Sequence, residues 1–346
     1  MRRVMPAAAV LLSCSSAFAT TVTKCVHNAT ELQNTLNAAS SSSNSSDYVL
    51  QLREGVFLAP SGGFTYFQNS NHGLDIEGGF FGLNGGTGCD LRFLTPGGTQ
   101  LDGRGNQSIL YLGSNSATSG NITLRYLTFQ NSGGGEGALR AVISHNTGAL
   151  RVTDSLFVGN GGDANNAFTV DLDDEAGTTH FSNNAVVGNT ALQSIVTLQT
   201  GASQNVRVYA SNNTIAGNAG NGYNVTLHGP AAFDLANNII VDGCMTAYSD
   251  SGEPAPAINY DSNDIEDLCG AAPTGSGNIS QYPQFVDPAN GNYRLTPSSP
   301  GVNAGDNTPP GGTRPTDLNG LARIVGTIDM GAYEVPDHIF GDGFES

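Results

Sequence analysis

Acidic side chains that could act on a sugar are concentrated in one stretch of the sequence. The segment Asp171-Leu-Asp-Asp-Glu175 is the densest acidic cluster of the chain. A pair of carboxyl groups is the usual acid and base of glycoside hydrolysis, whereas carboxylates that hold Ca²⁺ assist the elimination by which lyases cut uronate chains. The cluster therefore suggests hydrolase or lyase chemistry, with Asp171, Asp173 and Glu175 as candidate calcium ligands.

An internal repeat of 29 residues predicts which side chains surround this cluster. Four similar segments end at asparagines spaced by this step, Asn131, Asn160, Asn189 and Asn218. If each repeat is one coil of a solenoid, residues one repeat apart lie above one another. His145 then lies over Asp174, and Arg151 over His180. The candidate catalytic residues are therefore Asp173, Asp174, His145, Arg151 and His180.

The repeat also predicts the fold. Each repeat holds three short runs rich in β-branched residues between Gly and Asn turns, and no run has helical length. This pattern is typical of an all-β, right-handed, single-stranded parallel β-helix, whose coils stack about 4.8 Å apart. The four asparagines would then form a structural ladder at one corner, where Asn also tolerates the left-handed backbone of a sharp turn.

The regions on either side of the repeats are less regular. Thr30-Glu-Leu-Gln33 is typical of a capping box and predicts a short helix at about residues 28–40 that covers the N-terminal end of the solenoid. We expect the β-helix with its cap to span residues 20–245. Residues 246–334 predict an irregular C-terminal region, and residues 335–346 a short tail.

The N-terminal segment predicts export. Arg2 and Arg3, an apolar stretch and the small-residue site Ala17-Phe-Ala19 are typical of a signal peptide at residues 1–19. A lipoprotein signal ending at Cys14 is the alternative interpretation. Cleavage after Ala19 removes two arginines and changes the net charge from −17 to −19. Such a charge argues against nucleic-acid binding, and no later stretch has the length and apolar character of a transmembrane helix.

Four cysteines remain after this cleavage, and an even number in an oxidising compartment suggests two disulfides. Sequence proximity favours Cys244 with Cys269, which leaves Cys25 with Cys89. The spacings do not resemble those of zinc sites.

The sequence resembles bacterial exported right-handed β-helix proteins, the superfamily that includes pectate lyases and polygalacturonases. The segments that carry the resemblance are Asn292-Tyr-Arg-Leu-Thr-Pro-Ser-Ser-Pro300, Asn303-Ala-Gly-Asp306, Asp317-Leu-Asn-Gly-Leu-Ala-Arg323 and Asp329-Met-Gly-Ala-Tyr-Glu334. They are similar to the choice-of-anchor Q domain that closes many such surface proteins. The resemblance implies a bacterial protein that is secreted or held at the cell surface or outer membrane, and a superfamily that places its sugar-cleaving groups on one flank of the helix.

The enzymatic motifs of that superfamily are largely missing. The chain has Asp173-Asp174 and an isolated His228-Gly229, but it has no Arg-Ile-Lys and no pectate-lyase signature. The acidic cluster is also compatible with a solvated turn that follows a strand, and we favour this interpretation. We therefore expect a monomeric, glycan-binding or adhesive β-helix that is non-catalytic or of uncharacterised activity. The alternative is a polysaccharide lyase or glycoside hydrolase that acts on uronate-containing polysaccharide through the cluster at 171–175, with Ca²⁺ as a possible cofactor.

Overall fold

The computed structural model describes residues 20–115, 120–144, 148–161, 167–201, 206–220, 222–270 and 275–336. The predicted signal peptide, residues 337–346 of the predicted tail, and His145 lie outside the described residues. In the described part, short parallel strands stack coil on coil into a right-handed β-helix of about eight turns. The predicted fold class is confirmed.

Within the described residues the chain forms one α-helix, α1 (Ala29–Ala39), and three short 3-10 turns (Leu83–Gly85, Pro96–Gly98 and Pro288–Asn290). The strands of the N-terminal half are β1 (Thr20–Val26), β2 (Ser46–Arg53), β3 (Gly55–Leu58), β4 (Phe64–Gln68), β5 (Leu74–Phe81), β6 (Leu91–Arg92), β7 (Thr99–Asp102), β8 (Leu110–Ser114), β9 (Ile122–Arg125), β10 (Thr128–Gln130), β11 (Leu139–Ile143), β12 (Ala149–Thr153), β13 (Leu156–Val158) and β14 (Phe168–Asp174). Those of the C-terminal half are β15 (Thr178–Ser182), β16 (Ala185–Val187), β17 (Thr190–Ala191), β18 (Ser194–Thr200), β19 (Arg207–Ser211), β20 (Thr214–Ala216), β21 (Ala219–Gly220), β22 (Tyr223–His228), β23 (Ala232–Ala236), β24 (Ile239–Tyr248), β25 (Ala257–Asp261), β26 (Asp264–Leu268), β27 (Phe285–Asp287) and β28 (Asn292–Leu295).

The strands of successive coils form three faces, which we name A, B and C. Face A contains β1, β2, β5, β9, β12, β15, β19, β23 and β25. Face B contains the short strands β3, β7, β10, β13, β16 and β20, and face C contains β4, β8, β11, β14, β18 and β22. The long strand β24 passes from face B, where it pairs with β20, to face C, where it pairs with β22.

Alternate residues of each strand point into the coil and fill its interior with Leu, Val, Ile and Phe side chains. Phe129 and Phe157 of adjacent coils stack with their ring centroids 4.7 Å apart. Helix α1 closes the N-terminal end by burying Leu32, Leu36 and Ala39. Its cap is Asn28 and not Thr30, because Asn28 keeps an extended backbone and its Oδ1 accepts the N–H of Glu31 at 3.0 Å.

Two ladders of buried asparagines hold the corners between faces. In the first, Asn160 Nδ2 donates to Asn189 Oδ1 at 2.9 Å, and Asn189 Nδ2 donates to Asn218 Oδ1 at 3.0 Å. Asn131 is not a member, because Ser132 occupies the equivalent position and lies 28 residues before Asn160. A second ladder, which the sequence analysis did not identify, contains Asn184, Asn213, Asn238, Asn263 and Asn278.

The coils continue beyond residue 245, where the sequence analysis places the end of the β-helix. Strand β25 pairs with β23, and β26 pairs with β24. The repeat shortens here to 25 residues, the step that separates the ladder residues Asn213 and Asn238. Both predicted disulfides are present. Cys244–Cys269 connects β24 with the residue that follows β26, and Cys25–Cys89 connects β1 with the loop after β5.

The C-terminal region packs on the outside of face B. Leu295, Met330 and Ala332 contact small outward side chains of face B such as Val187 and Ala216. Arg323 is fully buried in this region beside Glu334. None of the helices within the described residues is long and apolar enough to span a membrane.

Candidate functional site

The acidic segment lies on β14, and the alternation of the strand divides its carboxylates between two sides. Asp171 and Asp173 point outward from face C, whereas Asp174 points inward and is 0% exposed. Asp174 Oδ1 accepts the N–H of Gly177 at 2.9 Å, so this carboxylate stabilises the turn that follows β14. Asp173 and Asp174 therefore do not face a common site.

The predicted pairing of His145 with Asp174 does not follow the register of face C. On the preceding coil Asp174 pairs with Ile143, which is 31 residues earlier in the sequence. On the following coil it pairs with Thr200, which is only 26 residues later. The turns that enter and leave β14 differ in length from those of its neighbours, so the 29-residue step is not kept on this face. His145 itself lies outside the described residues.

Arg151 and His180 lie on face A, where the 29-residue step is kept. Arg151 pairs with His180, and His180 with Tyr209. The rings of His180 and Tyr209 stack with centroids 4.9 Å apart. Burial, together with the positive charge of Arg151, lowers the pKa of His180 to about 4, so the imidazole is neutral at physiological pH. These side chains are on a different face from Asp171 and Asp173.

The three candidate calcium ligands do not converge. Asp171 and Asp173 are two residues apart on a strand, which places their Cα atoms about 7 Å from each other. Within the described residues, the only group of three His, Cys, Asp or Glu ligand atoms within 4.8 Å of one another is Cys244, Asp267 and Cys269. Its two sulfur atoms form a disulfide and are not available to a metal.

Face C instead carries two outward columns of polar side chains along the axis of the β-helix. The first column is Arg140, Asp171, Thr197, Thr226 and Thr246, and the second is Val142, Asp173, Gln199, His228 and Tyr248. Gln199 Nε2 donates to Asp173 Oδ2 at 3.2 Å, and the ring centroids of His228 and Tyr248 are 4.6 Å apart. Neighbouring coils are thus connected on the outside by side-chain contacts.

The two outward aspartates of face C are only partly accessible to water. Burial raises the pKa of Asp171 to about 6 even though Arg140 Nε lies 3.3 Å from its Oδ2. Burial also raises the pKa of Asp173 to about 6, and the negative charges of Glu175 and Asp174 add to the effect. Each carboxyl group can therefore exchange a proton close to neutral pH.

A groove of about 350 Å³ crosses face C next to these aspartates. Among the residues that line it are Phe168, Thr197, Gln199, Tyr223, Thr226 and Tyr248. Tyr223 and Tyr248 are 40% and 50% exposed, while Thr197 is only 4% exposed. Thr197 Oγ1 has no hydrogen-bond partner within the described part of the protein.

The sequence analysis did not identify this groove. Its threonines are the central residues of Val196-Thr-Leu198 and Val225-Thr-Leu227, and in both runs the flanking apolar residues point inward. The alternation of a strand would therefore have placed both threonines on the outer surface. The two tyrosines meet at one groove only because β22 and the second half of β24 pair, which the repeat pattern does not indicate.

A scan of the sequence against models of known protein families finds no match, and a search of curated proteins finds no similar sequence.

Proposed function

We propose that this is an exported bacterial protein that binds a polysaccharide along face C. The observation that carries the proposal is the groove, which has two exposed tyrosines and a floor of threonine and glutamine side chains. Aromatic rings offer flat apolar surfaces to sugar rings, and a few placed polar groups fix the orientation of a ligand. Because coils repeat about every 4.8 Å, a long chain can make many similar weak contacts.

Export is supported by the signal-like segment at residues 1–19 and by the two disulfides, since such bonds persist mainly in oxidising compartments. The likeness of residues 292–334 to the choice-of-anchor Q domain supports a place at the bacterial surface or in the medium. We propose a cell-surface glycan or a free polysaccharide as the partner. The net charge of −17 argues against nucleic acid as a partner.

The proposal is tested by affinity electrophoresis and calorimetry with a panel of polysaccharides. Wild-type protein is expected to be retarded by at least one of them. Tyr223→Ala and Tyr248→Ala are each expected to weaken binding by about thirtyfold, because hot-spot aromatics contribute roughly 2 kcal/mol. Phe93→Ala is the matched control, since Phe93 is also exposed but lies on the loop before β7. Unchanged binding by both tyrosine variants would refute the groove as the binding surface.

A second candidate function is hydrolysis of the bound polysaccharide by Asp171 and Asp173. It is favoured by the position of the pair at the end of the groove and by their pKa values near 6. Side chains two residues apart on a strand leave the same face about 7 Å from each other, which is the scale of the roughly 6.5–9.5 Å between the carboxyl groups of inverting hydrolases. New reducing ends that disappear in both Asp171→Asn and Asp173→Asn would support it, and activity that survives both changes would exclude these residues.

A lyase would need a base, for which Arg151 or Arg207 would have to serve because the one lysine, Lys24, is near the N-terminal cap. The combination of these aspartates with either arginine is not supported by the geometry, since Arg207 on β19 also belongs to face A. Arg151 lies on face A, and face C carries the aspartates. The absence of ultraviolet-absorbing unsaturated products from uronate polysaccharides, with and without Ca²⁺, is the expected result.

A further inference from the structure

We propose that face C selects glycans that carry free amino groups, and that Asp171 and Asp173 bind an ammonium group of an amino sugar. This inference rests on the proposed function and names its substrate class. It is carried by the charge of the surface beside the groove and by two polar atoms there that have no hydrogen-bond partner among the residues that the structure describes.

The end of the groove is negatively charged. Glu136, Asp171, Asp173 and Glu175 lie at this end, and on the described strands of face C the only Lys or Arg is Arg140. Arg140 is shared, because its guanidinium pairs with Glu136 as well as with Asp171. A uronate would add a further carboxylate to this surface and be repelled, whereas an ammonium group supplies the missing positive charge.

The unpaired polar atoms at this end of the groove also indicate a ligand that donates hydrogen bonds. Asp173 Oδ2 accepts from Gln199, but Asp173 Oδ1 is shielded from solvent and has no partner within the described residues. On the next coil, Thr197 lies beside Asp171 and is 4% exposed, and its Oγ1 has no described partner either. Buried polar atoms are rarely left unpaired in native proteins.

An amino sugar fits both unpaired atoms. Its ammonium group has three N–H donors for the carboxylates, and a neighbouring sugar hydroxyl can donate to or accept from Thr197. The raised pKa values of the two aspartates support this assignment, because a cation would stabilise carboxylates that water solvates poorly. Thr226 and the tyrosine rings of the groove would then contact uncharged sugars along the same chain.

The experiment compares two probes of equal length and linkage, an oligomer of β-1,4-linked glucosamine and its fully N-acetylated form, in calorimetric titrations at pH 6.5. The glucosamine oligomer is expected to bind at least about tenfold more tightly, and this advantage should shrink as salt is raised. Asp171→Asn and Asp173→Asn should each remove the advantage of the glucosamine oligomer over the acetylated one. Glu54→Gln, an exposed carboxylate at the start of face B, is the matched control.

The outcomes are distinguishable. If both oligomers bind equally well, the amino-sugar inference is overturned while the polysaccharide groove stands. If a uronate oligomer with Ca²⁺ binds more tightly than the glucosamine oligomer, the pair acts through a metal ion and the inference is overturned. If no glycan binds to correctly folded wild-type protein, the proposed function and the inference fail together. Because the two probes are compared on the wild-type chain, the test holds even if an aspartate variant does not fold.

Discussion

Replacing Asn213 by Ala removes the centre of the second asparagine ladder. This side chain is 1% exposed, and its Nδ2 donates to the carbonyl of Phe181 at 2.7 Å and to Asn238 Oδ1 at 2.9 Å. Its Oδ1 accepts the backbone N–H of Asn184 at 3.0 Å. The change therefore takes a partner from two buried backbone groups, the Phe181 carbonyl and the Asn184 N–H.

Each buried polar group that loses its partner costs about 1–3 kcal/mol, so Asn213→Ala is expected to lower the free energy of unfolding by about 2–6 kcal/mol. That is a large part of the roughly 5–15 kcal/mol by which proteins are usually stable. Chemical denaturation under non-reducing conditions measures it as a shift of the transition midpoint. Asn290→Ala, at an exposed asparagine with one hydrogen bond to Asp287, should change stability by no more than about 0.5 kcal/mol.

A loss below about 1 kcal/mol for Asn213→Ala would refute the reasoning, because it would mean that the backbone finds other partners at this corner. A loss equal to that of Asn290→Ala would have the same meaning. The ladder would then follow from the stacking of the coils without contributing to their stability.

Three further predictions concern stability. Burial raises the folded-state pKa of Asp173 to about 6, above that of the unfolded chain, so the ionised group destabilises the fold at high pH and the penalty fades as pH falls from about 6 to about 4. Asp173→Asn should therefore stabilise by about 1–2 kcal/mol at pH 8 and by almost nothing at about pH 3, as thermal unfolding across pH will measure. Reduction of the Cys244–Cys269 disulfide, or replacement of both cysteines by Ser, should lower the free energy of unfolding by about 3 kcal/mol in the same assay, because the bond closes a loop of 25 residues. An unchanged unfolding transition would contradict a stabilising role of this disulfide. Arg323→Met should cost about 3–5 kcal/mol, because the buried carbonyls of Asp329 and Gly331 lose the guanidinium that donates to them and Glu334 loses its counter-charge. A neutral effect would show that these carbonyls find other partners and that Glu334, whose pKa burial raises to about 8, is protonated in the fold.

The coil architecture could be predicted because its causes are local and repeated. Short β-branched runs separated by Gly and Asn turns determine both the strands and the corners, and the four cysteines are close to their partners once the coils stack. The cap could be predicted as well, since Leu32, Leu36 and Ala39 share one face of a helix.

The composition of the site could not be predicted because it depends on turn lengths. One repeat period applied to all three faces places Arg151 over His180 correctly on face A, but it places His145 over Asp174 on face C, where the step is 31 residues. A shift of this kind changes every neighbour on a face, while the strands themselves keep their pattern. Strand alternation, which is visible in the sequence, already separates Asp173 from Asp174.

The same alternation distinguishes the outer surface of face C from those of the other two faces. The outward positions of face B carry small apolar residues such as Ala185, Val187 and Ala216, and the C-terminal region packs on them. On face A, Gly311 of that region lies so close to Tyr209 that a side chain there would contact the tyrosine. Most of the corresponding outward positions in the two columns of face C are polar, with Thr, Gln and Asp among them, and such residues do not form an apolar packing surface for another part of the chain. Polar columns that are costly to bury against protein are suited to hydrated partners such as sugars, and so the residue types that keep the C-terminal region off face C are also those that the proposed glycan binding requires.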